Sequence, residues 1–376
     1  MTSARPRIFR PTWAEVDLKA LNANIRSIQS RIGRCRILLV IKGNAYGHGL
    51  AAVGRAAEAS GRVYGLGVSS IEEGIVVREA GVKLPILVLG SLYPFESVQA
   101  ALEYRLTPTV ASLDGARRLK EAVRRSRKTQ RIPCHLKLDT GMGRIGVRWP
   151  AGLQVVESIL AEPLLHLQGV YTHFANAETS RALTMLQLKS FLQARHDILQ
   201  LGVRPLFHAA NSAAALKIPA TRLDCVRPGL AAYGLYEKNL KPVLSLKSRI
   251  VFIKNVRSQT PLSYGGTFRT RRPSRIATLP IGYADGYSRA LSNKAQVLVG
   301  GHRCPIVGTI TMDMLMIDTT GIPQVRVGEE VVLIGRQGRE QIPASELAHL
   351  AGTIPYEIAT SISARVPRVY SAMVSA

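Results

Sequence analysis

The chain has 376 residues, more than one ordinary hydrophobic core accommodates, so two domains are expected. Its hydrophobic fraction of 46% is that of a globular protein, and no apolar run approaches the roughly 18–20 residues of a membrane helix, which argues against a membrane-spanning protein. The formal charge of +25 raises a nucleic-acid binder, yet Lys and Arg are dispersed and neither an RNP-type aromatic motif nor finger spacing is present. The densest basic cluster, residues 117–131, reads as a surface helix running into a loop, so a solvated basic surface that draws in small anions accounts for the charge. Cys35, Cys134, Cys225 and Cys304 show neither metal-ligand nor disulfide-scaffold spacing, which fits reduced thiols in a cytoplasm. Residues 1–13 are basic without a following apolar stretch, which argues against a secretory leader.

From the amino end, short β-rich runs alternate with helical patterns. The runs lie at residues 37–41, 64–68, 85–89, 106–110, 135–138, 167–171, 206–209 and 224–226. Between them, segments such as 71–80, 113–125 and 181–201 place apolar residues at helical spacing. Eight strands with intervening helices in about 230 residues predict a (β/α)8 TIM-like barrel. The competing doubly wound sheet lacks a GxGxxG after its first strand. Beyond residue 240 the runs 244–256, 275–282, 295–299, 304–307, 314–317 and 331–334 are β-branched and punctuated by Gly and Pro, which predicts a mostly β domain. Helices at 343–350 and 356–363 are expected to close it. The expected division is residues 1–240 for the barrel and 241–376 for the β domain.

In such a barrel, functional groups stand at the carboxyl ends of the strands, where the βα loops form one concave face. Lys42 directly follows the first run, and Lys137 sits near the end of the fifth with Asp139 and Arg144 just beyond. His173 follows the sixth, Asn211 and Ser212 the seventh, and Arg227 the eighth. Chance would scatter such residues over both ends of the barrel. A lysine held against an apolar strand loses hydration, so its pKa falls and the neutral amine can form a Schiff base with an aldehyde cofactor. A lone lysine ending a strand would more simply be a surface residue, but the segment Val40-Ile41-Lys42-Gly43-Asn44-Ala45-Tyr46-Gly47-His48-Gly49 is too rich in Gly and Tyr for a plain connector.

This segment resembles the cofactor-lysine motif of the alanine racemases, barrel-type (fold type III) enzymes that use pyridoxal 5'-phosphate. The likeness continues through Lys137-Leu138-Asp139-Thr140-Gly141-Met142-Gly143-Arg144, Tyr171-Thr172-His173-Phe174-Ala175 and His208-Ala209-Ala210-Asn211-Ser212. It runs on through Arg227-Pro228-Gly229, Ser263-Tyr264-Gly265-Gly266, Gly282-Tyr283-Ala284-Asp285-Gly286 and Thr311-Met312-Asp313, to Pro355-Tyr356-Glu357 and Arg365-Val366-Pro367-Arg368. Two small departures are Thr311 where cysteine is frequent and Gly266 where alanine is common; they bear on fine substrate preference.

The resemblance implies interconversion of L- and D-alanine through an aldimine, supplying D-alanine for peptidoglycan. Lys42 would hold the cofactor and act as base on one face, and Tyr264 of a second subunit would act on the other. Inverting a stereocentre by proton transfer requires one group to remove the α-proton and another to deliver one from the far side. A phenol with an ordinary pKa near ~10 needs a positive neighbourhood for this, which His173 and Arg227 are expected to supply. Arg227 would face the ring nitrogen of the cofactor, donating a hydrogen bond without giving up its proton. Tyr46, Ser212, Gly229, Leu230 and Tyr356 would bind the phosphate, with Asn211 beside them. Arg144 is implied at the substrate carboxylate, Lys137 as a lysine open to carbamylation, and Met312 and Tyr283 as partner-subunit residues that narrow the pocket. His48 and Asp313 are read as supporting groups. No metal is implied, and a homodimer with shared sites is. Taken singly, Tyr264 would read as a turn tyrosine and Arg227 as a salt-bridging barrel residue.

Three rivals stand beside this reading. A non-catalytic pyridoxal-phosphate carrier would lack the β domain and Tyr264. A broad-specificity racemase acting on serine or lysine would be expected with an export segment and a disulfide pair. A nucleic-acid binder rests on the charge alone.

Overall fold

A computed structural model describes residues 9–126 and 129–371. The chain opens with β1 (Thr12–Val16). All eight apolar runs then form strands: β2 (Arg36–Val40), β3 (Gly65–Val68), β4 (Ile86–Val88), β5 (Thr109–Val110), β6 (Ile132–Lys137), β7 (Leu165–Tyr171), β8 (Leu206–His208) and β9 (Cys225–Val226). They pair in parallel in the order β4-β3-β2-β9-β8-β7-β6-β5. The first and last runs lie side by side, with Ile37 opposite Val226. The seam between β4 and β5 is closed by the bridge Leu87↔Thr107, with the Val88 N–H donating to Thr107 O at 2.9 Å. The sheet is therefore a cylinder, and the (β/α)8 expectation is met.

Helices cover its outside, so strands such as β3 and β4 are buried along their whole length and must be apolar throughout. The helices start where Ser can cap them: Ser70 before Ile71–Glu79, Ser112 before Leu113–Arg125 and Ser180 before Arg181–Gln200. On the basic helix, Asp114 pairs with Arg117 and Arg118, while Arg124 reaches Glu162. The described part of the 117–131 cluster is thus an ion-paired surface; its residues 127–128 lie outside the described residues.

The remaining strands are β10 (Leu244–Arg249), β11 (Phe252–Val256), β12 (Pro261–Leu262), β13 (Phe268–Arg269), β14 (Ser274–Leu279), β15 (Gln296–Val299), β16 (His302–Pro305), β17 (Leu315–Asp318), β18 (Glu330–Gln337), β19 (Glu340–Ile342) and β20 (Arg368–Tyr370). With β1 they form one sheet in the order β16-β15-β18-β10-β1-β20, with β19 on β18, a second in the order β11-β14-β17, and a two-stranded β12-β13 ribbon. The run 244–256, expected as one strand, breaks at Ile250 and Val251 because the chain changes sheet there. The two short helices are Ala344–Ala351 and Pro355–Thr360.

β1 runs antiparallel to β10 and parallel to β20, and it buries Ala14 in the β-domain core. Within the segment assigned to the barrel, this first strand therefore packs with the other unit. A five-residue run containing Glu15 is too short for alternation to announce it.

Candidate active site

Lys42 begins an unusual turn. Gly43, Asn44, Ala45 and Tyr46 all have φ between 53° and 63°, and Gly47 follows at 82°. Each non-glycine residue held in this left-handed region costs roughly 1–2 kcal/mol, so the surroundings must hold the turn in place. The Asn44 side chain accepts from Leu50 N–H at 2.8 Å. His48, fully buried, lies with Nδ1 3.0 Å from Ala45 O and 2.8 Å from Tyr46 O, which makes Nδ1 the protonated, donating nitrogen. Arg368 donates from Nε to Gly47 O at 3.0 Å. A Cβ on Gly47 would meet Ala359 O at 2.0 Å, so only glycine fits. His48 is therefore structural, as the sequence reading has it.

The turn delivers Lys42 into a cavity of about 490 Å³ at the carboxyl ends of the barrel strands. Tyr46, Lys137, Arg144, His173, Asn211, Ser212, Arg227, Gly229, Leu230 and Tyr356 line the same cavity, so it gathers the barrel residues singled out above at the strand ends apart from Asp139, and Tyr356 with them. Burial, and then Arg144, push the Lys42 amine below the ordinary lysine value. Lys137 is pushed down to about 8 by burial together with Arg144, Arg227 and Lys42, and its ammonium lies 5.5 Å from the Tyr171 ring centroid. Asp139 accepts from the N–H groups of Gly141, Met142 and Gly143, shaping the loop that leads to Arg144.

Arg227 is 3% exposed and its orientation is fixed by buried partners. One terminal nitrogen lies 2.9 Å from His208 Nδ1, and the other donates to Thr172 O at 2.6 Å and Ala209 O at 3.1 Å. Among the described residues its Nε has no hydrogen-bond partner. An arginine always donates, so His208 accepts at Nδ1 and carries its proton on Nε2, 2.9 Å from His135 Nδ1. Burial lowers Arg227 to about 10, which leaves it protonated near neutrality. His173 behaves otherwise than expected: burial, then Arg227 and Arg144, push it down to about 3, so its ring is neutral. The positive field of the cavity comes first from the arginines and then from Lys137 and Lys42, and the neighbour of Arg227 is His208.

Across the cavity, the Ser212 hydroxyl oxygen accepts from Gly229 N–H at 3.0 Å and Ala231 N–H at 3.2 Å, which leaves its own proton to donate. The Leu230 N–H has no partner among the described residues. A Cβ on Gly229 would come within 2.4 Å of the Tyr46 hydroxyl oxygen, so glycine is what lets Tyr46 close on this corner. Tyr46 rests on Tyr233 at a centroid distance of 5.0 Å, and burial raises it to about 12, keeping it a neutral donor. Tyr356 donates to Glu178 at 2.8 Å.

Tyr264, Tyr283 and Met312 do not line this cavity. They stand on the β domain, 75%, 43% and 52% exposed. Ser263, Gly265 and Gly266, all at positive φ, bend the turn that presents Tyr264, and the Thr309 hydroxyl donates to Tyr264 O at 3.1 Å. Tyr283 and Ala284 donate to Thr311 O and Met312 O, both at 3.1 Å, which fixes Tyr283 beside Met312. Below them Asp285 takes a two-pronged ion pair from Arg10, and Asp313 pairs with Arg365.

Family models for the alanine racemase N-terminal domain and C-terminal domain match residues 16–237 and 243–370. The chain belongs to the alanine racemase family. The alanine racemase of Symbiobacterium thermophilum is 46% identical over 374 residues, covering 96% of this chain and 97% of that protein. That of Halothermothrix orenii is 44% identical, covering 97% and 98%. A crystal structure of alanine racemase from Bacillus anthracis with bound L-Ala-P is 40% identical with a TM-score of 0.89, covering 97% of this chain and 96% of that one. Like other members of the family, this chain is a racemase with a barrel and a β domain. Among the described residues no helix is long and apolar enough to cross a membrane, and no cluster of side chains fits a metal ion.

Ser69, Gly90 and Glu178 also line the cavity and were not singled out from sequence. Ser69 and Gly90 fall just past β3 and β4, where the strand-end rule could have found them. His208 lay inside a matched segment, but only the fold shows that it faces Arg227.

Proposed function

We propose that the protein binds pyridoxal 5'-phosphate in the barrel mouth and interconverts L- and D-alanine, with Lys42 and the Tyr264 of a partner subunit acting on opposite faces of the α-carbon. The observation that carries this is the desolvated Lys42 amine sharing one cavity with the unpartnered Nε of Arg227 and with a hydroxyl-lined corner. That donor set fits the cofactor: an amine for an aldehyde, a fixed cation for a ring nitrogen, and neutral hydroxyls with a free amide for a phosphate.

Pyridoxal phosphate, when bound, draws electrons from the α-carbon of an attached amino acid and so acidifies its α-proton. Lys42, whose ammonium form is disfavoured by burial and Arg144, takes or returns that proton on one face. Tyr264, presented outward on its bent turn, does the same from the other face of the partner's cavity. Arg227 would offer its Nε–H to the ring nitrogen and keep its own proton, which would disfavour transamination. Tyr46, Ser212 and the Leu230 amide would hold the phosphate, with Asn211 and Gly229 shaping the corner; Tyr356, implied there by the resemblance, would have to release its hydroxyl from Glu178 to join them. Arg144 orients the substrate carboxylate. Lys137, at about 8, offers the neutral amine that carbon dioxide carbamylates. Met312 and Tyr283 of the partner limit the side chain to a methyl group. We place the enzyme in the cytoplasm, where its four free thiols are stable, and assign it the supply of D-alanine for peptidoglycan.

The test is D-amino-acid formation from a panel of L-amino acids by the purified, cofactor-loaded protein. Alanine is expected to be turned over fastest, in both directions. A clear preference for serine or lysine would overturn the substrate assignment, and no racemisation of any amino acid would overturn the function.

A further inference from the structure

Glu73 carries a role that its sequence context disguises. Ser70 and Glu73 have capping-box spacing, and the Ser70 hydroxyl does accept from Glu73 N–H at 3.4 Å. In such a box the carboxylate would turn back to the capping residue. Here it does something else. One oxygen accepts from Gly43 N–H at 2.6 Å and Asn44 N–H at 3.3 Å. The other accepts from the Ser69 N–H and hydroxyl, both at 2.8 Å. One carboxylate thus joins the turn after β2 to the end of its neighbour β3 at the rim of the barrel mouth.

We propose that Glu73 is a positioning residue for Lys42: its carboxylate holds the left-handed turn that starts at Lys42 and thereby fixes where the amine stands. Asn44, His48 and Arg368 secure the middle and far end of that turn. At its near end, among the described residues, Glu73 is the side chain that accepts from the two amides immediately after Lys42. A left-handed turn whose first amides lose their acceptor can relax towards the ordinary right-handed region, carrying Lys42 with it. The same carboxylate also favours the ammonium form of Lys42, opposing burial and Arg144. Glu73 thus bears on both the position and the charge of the amine without lining the cavity itself.

This rests on Lys42 as the proton-handling lysine, so the experiment reads the turn and the chemistry separately. Glu73→Gln, Glu73→Asp and the exposed control Glu79→Gln are compared with the unsubstituted holoenzyme by hydrogen exchange of the peptide spanning residues 41–47 and by alanine kinetics. Losing a charged acceptor is expected to speed exchange at Gly43 and Asn44 by about tenfold or more in Glu73→Gln. Its kcat should fall about tenfold while KM changes less than about twofold, as expected when ground-state binding is kept. The limb of the kcat–pH profile that reports Lys42 should move to lower pH. Glu73→Asp, which keeps the charge at shorter reach, should fall between, and Glu79→Gln should match the parent. Unchanged exchange in Glu73→Gln would overturn the proposal, and so would faster exchange with an unchanged kcat and pH profile. If the parent racemised nothing, the proposed function would fail, while the exchange comparison would still decide whether Glu73 holds the turn.

Discussion

Single residues in this site owe their charge state to burial as much as to identity. Sequence placed Lys42, Lys137, His173 and Arg227 at strand ends correctly, because strand position follows from pattern. It misjudged His173 as a source of positive charge, because the cost of ionising an imidazole beside two arginines depends on neighbours brought in from other strands. The same effect makes the fold acid-sensitive. His48 and His135 are both pushed down to about 4 by burial, and both are essentially unexposed. In the unfolded chain they would take up protons below about 6.5, whereas in the folded chain they stay neutral down to about 4. The unfolded state binds more protons in that window, so stability falls as pH drops through it. Between pH 7 and pH 5 these two residues should remove roughly 3–4 kcal/mol. Urea unfolding at the two pH values measures this, and equal midpoints would show that the imidazoles are not neutral and buried.

At the scale of elements, hydrophobic pattern was enough for the eight barrel strands and most of the β domain, since aliphatic runs buried on both faces have few alternatives. The pattern was silent where pairing comes from far away, as for β1, and it ran β10 and β11 together because a change of sheet leaves no mark on an apolar run. The connections carry as much of the site as the strands. Gly229 follows β9 and sits where a methyl group would meet the Tyr46 hydroxyl at 2.4 Å. Gly229→Ala should therefore push Tyr46 out of the proposed phosphate corner while leaving the barrel intact. We expect cofactor affinity, read by titrating the visible absorbance of the bound cofactor, to fall about tenfold or more, the loss of a hydrogen bond to a charged group. The thermal midpoint of the cofactor-free protein should move by no more than a few degrees. An unchanged affinity would mean that Tyr46 does not reach the phosphate.

For the whole molecule, the site residues fall in two places: a cavity in the barrel, and an exposed group of Tyr264, Tyr283 and Met312 on the β domain. The proposed sharing of sites in a dimer makes a definite forecast. Lys42→Ala and Tyr264→Phe should each be nearly inactive alone. Coexpressed, half of the dimers would be mixed, and each mixed dimer would have one intact site, restoring about a quarter of the parent activity. No restoration despite demonstrated mixed dimers would place both bases in one chain. A last consequence follows from β1, which lies between β10 and β20 in the β-domain sheet. The chain leaves that sheet at Asp17 and returns at Val243, where the Asp17 N–H donates to Val243 O at 2.8 Å. The barrel is thus a guest inserted into a β host through a doorway one hydrogen bond wide. During synthesis β1 waits without its neighbour until Leu244 has left the ribosome, so the guest can fold first and the host closes around its threshold last.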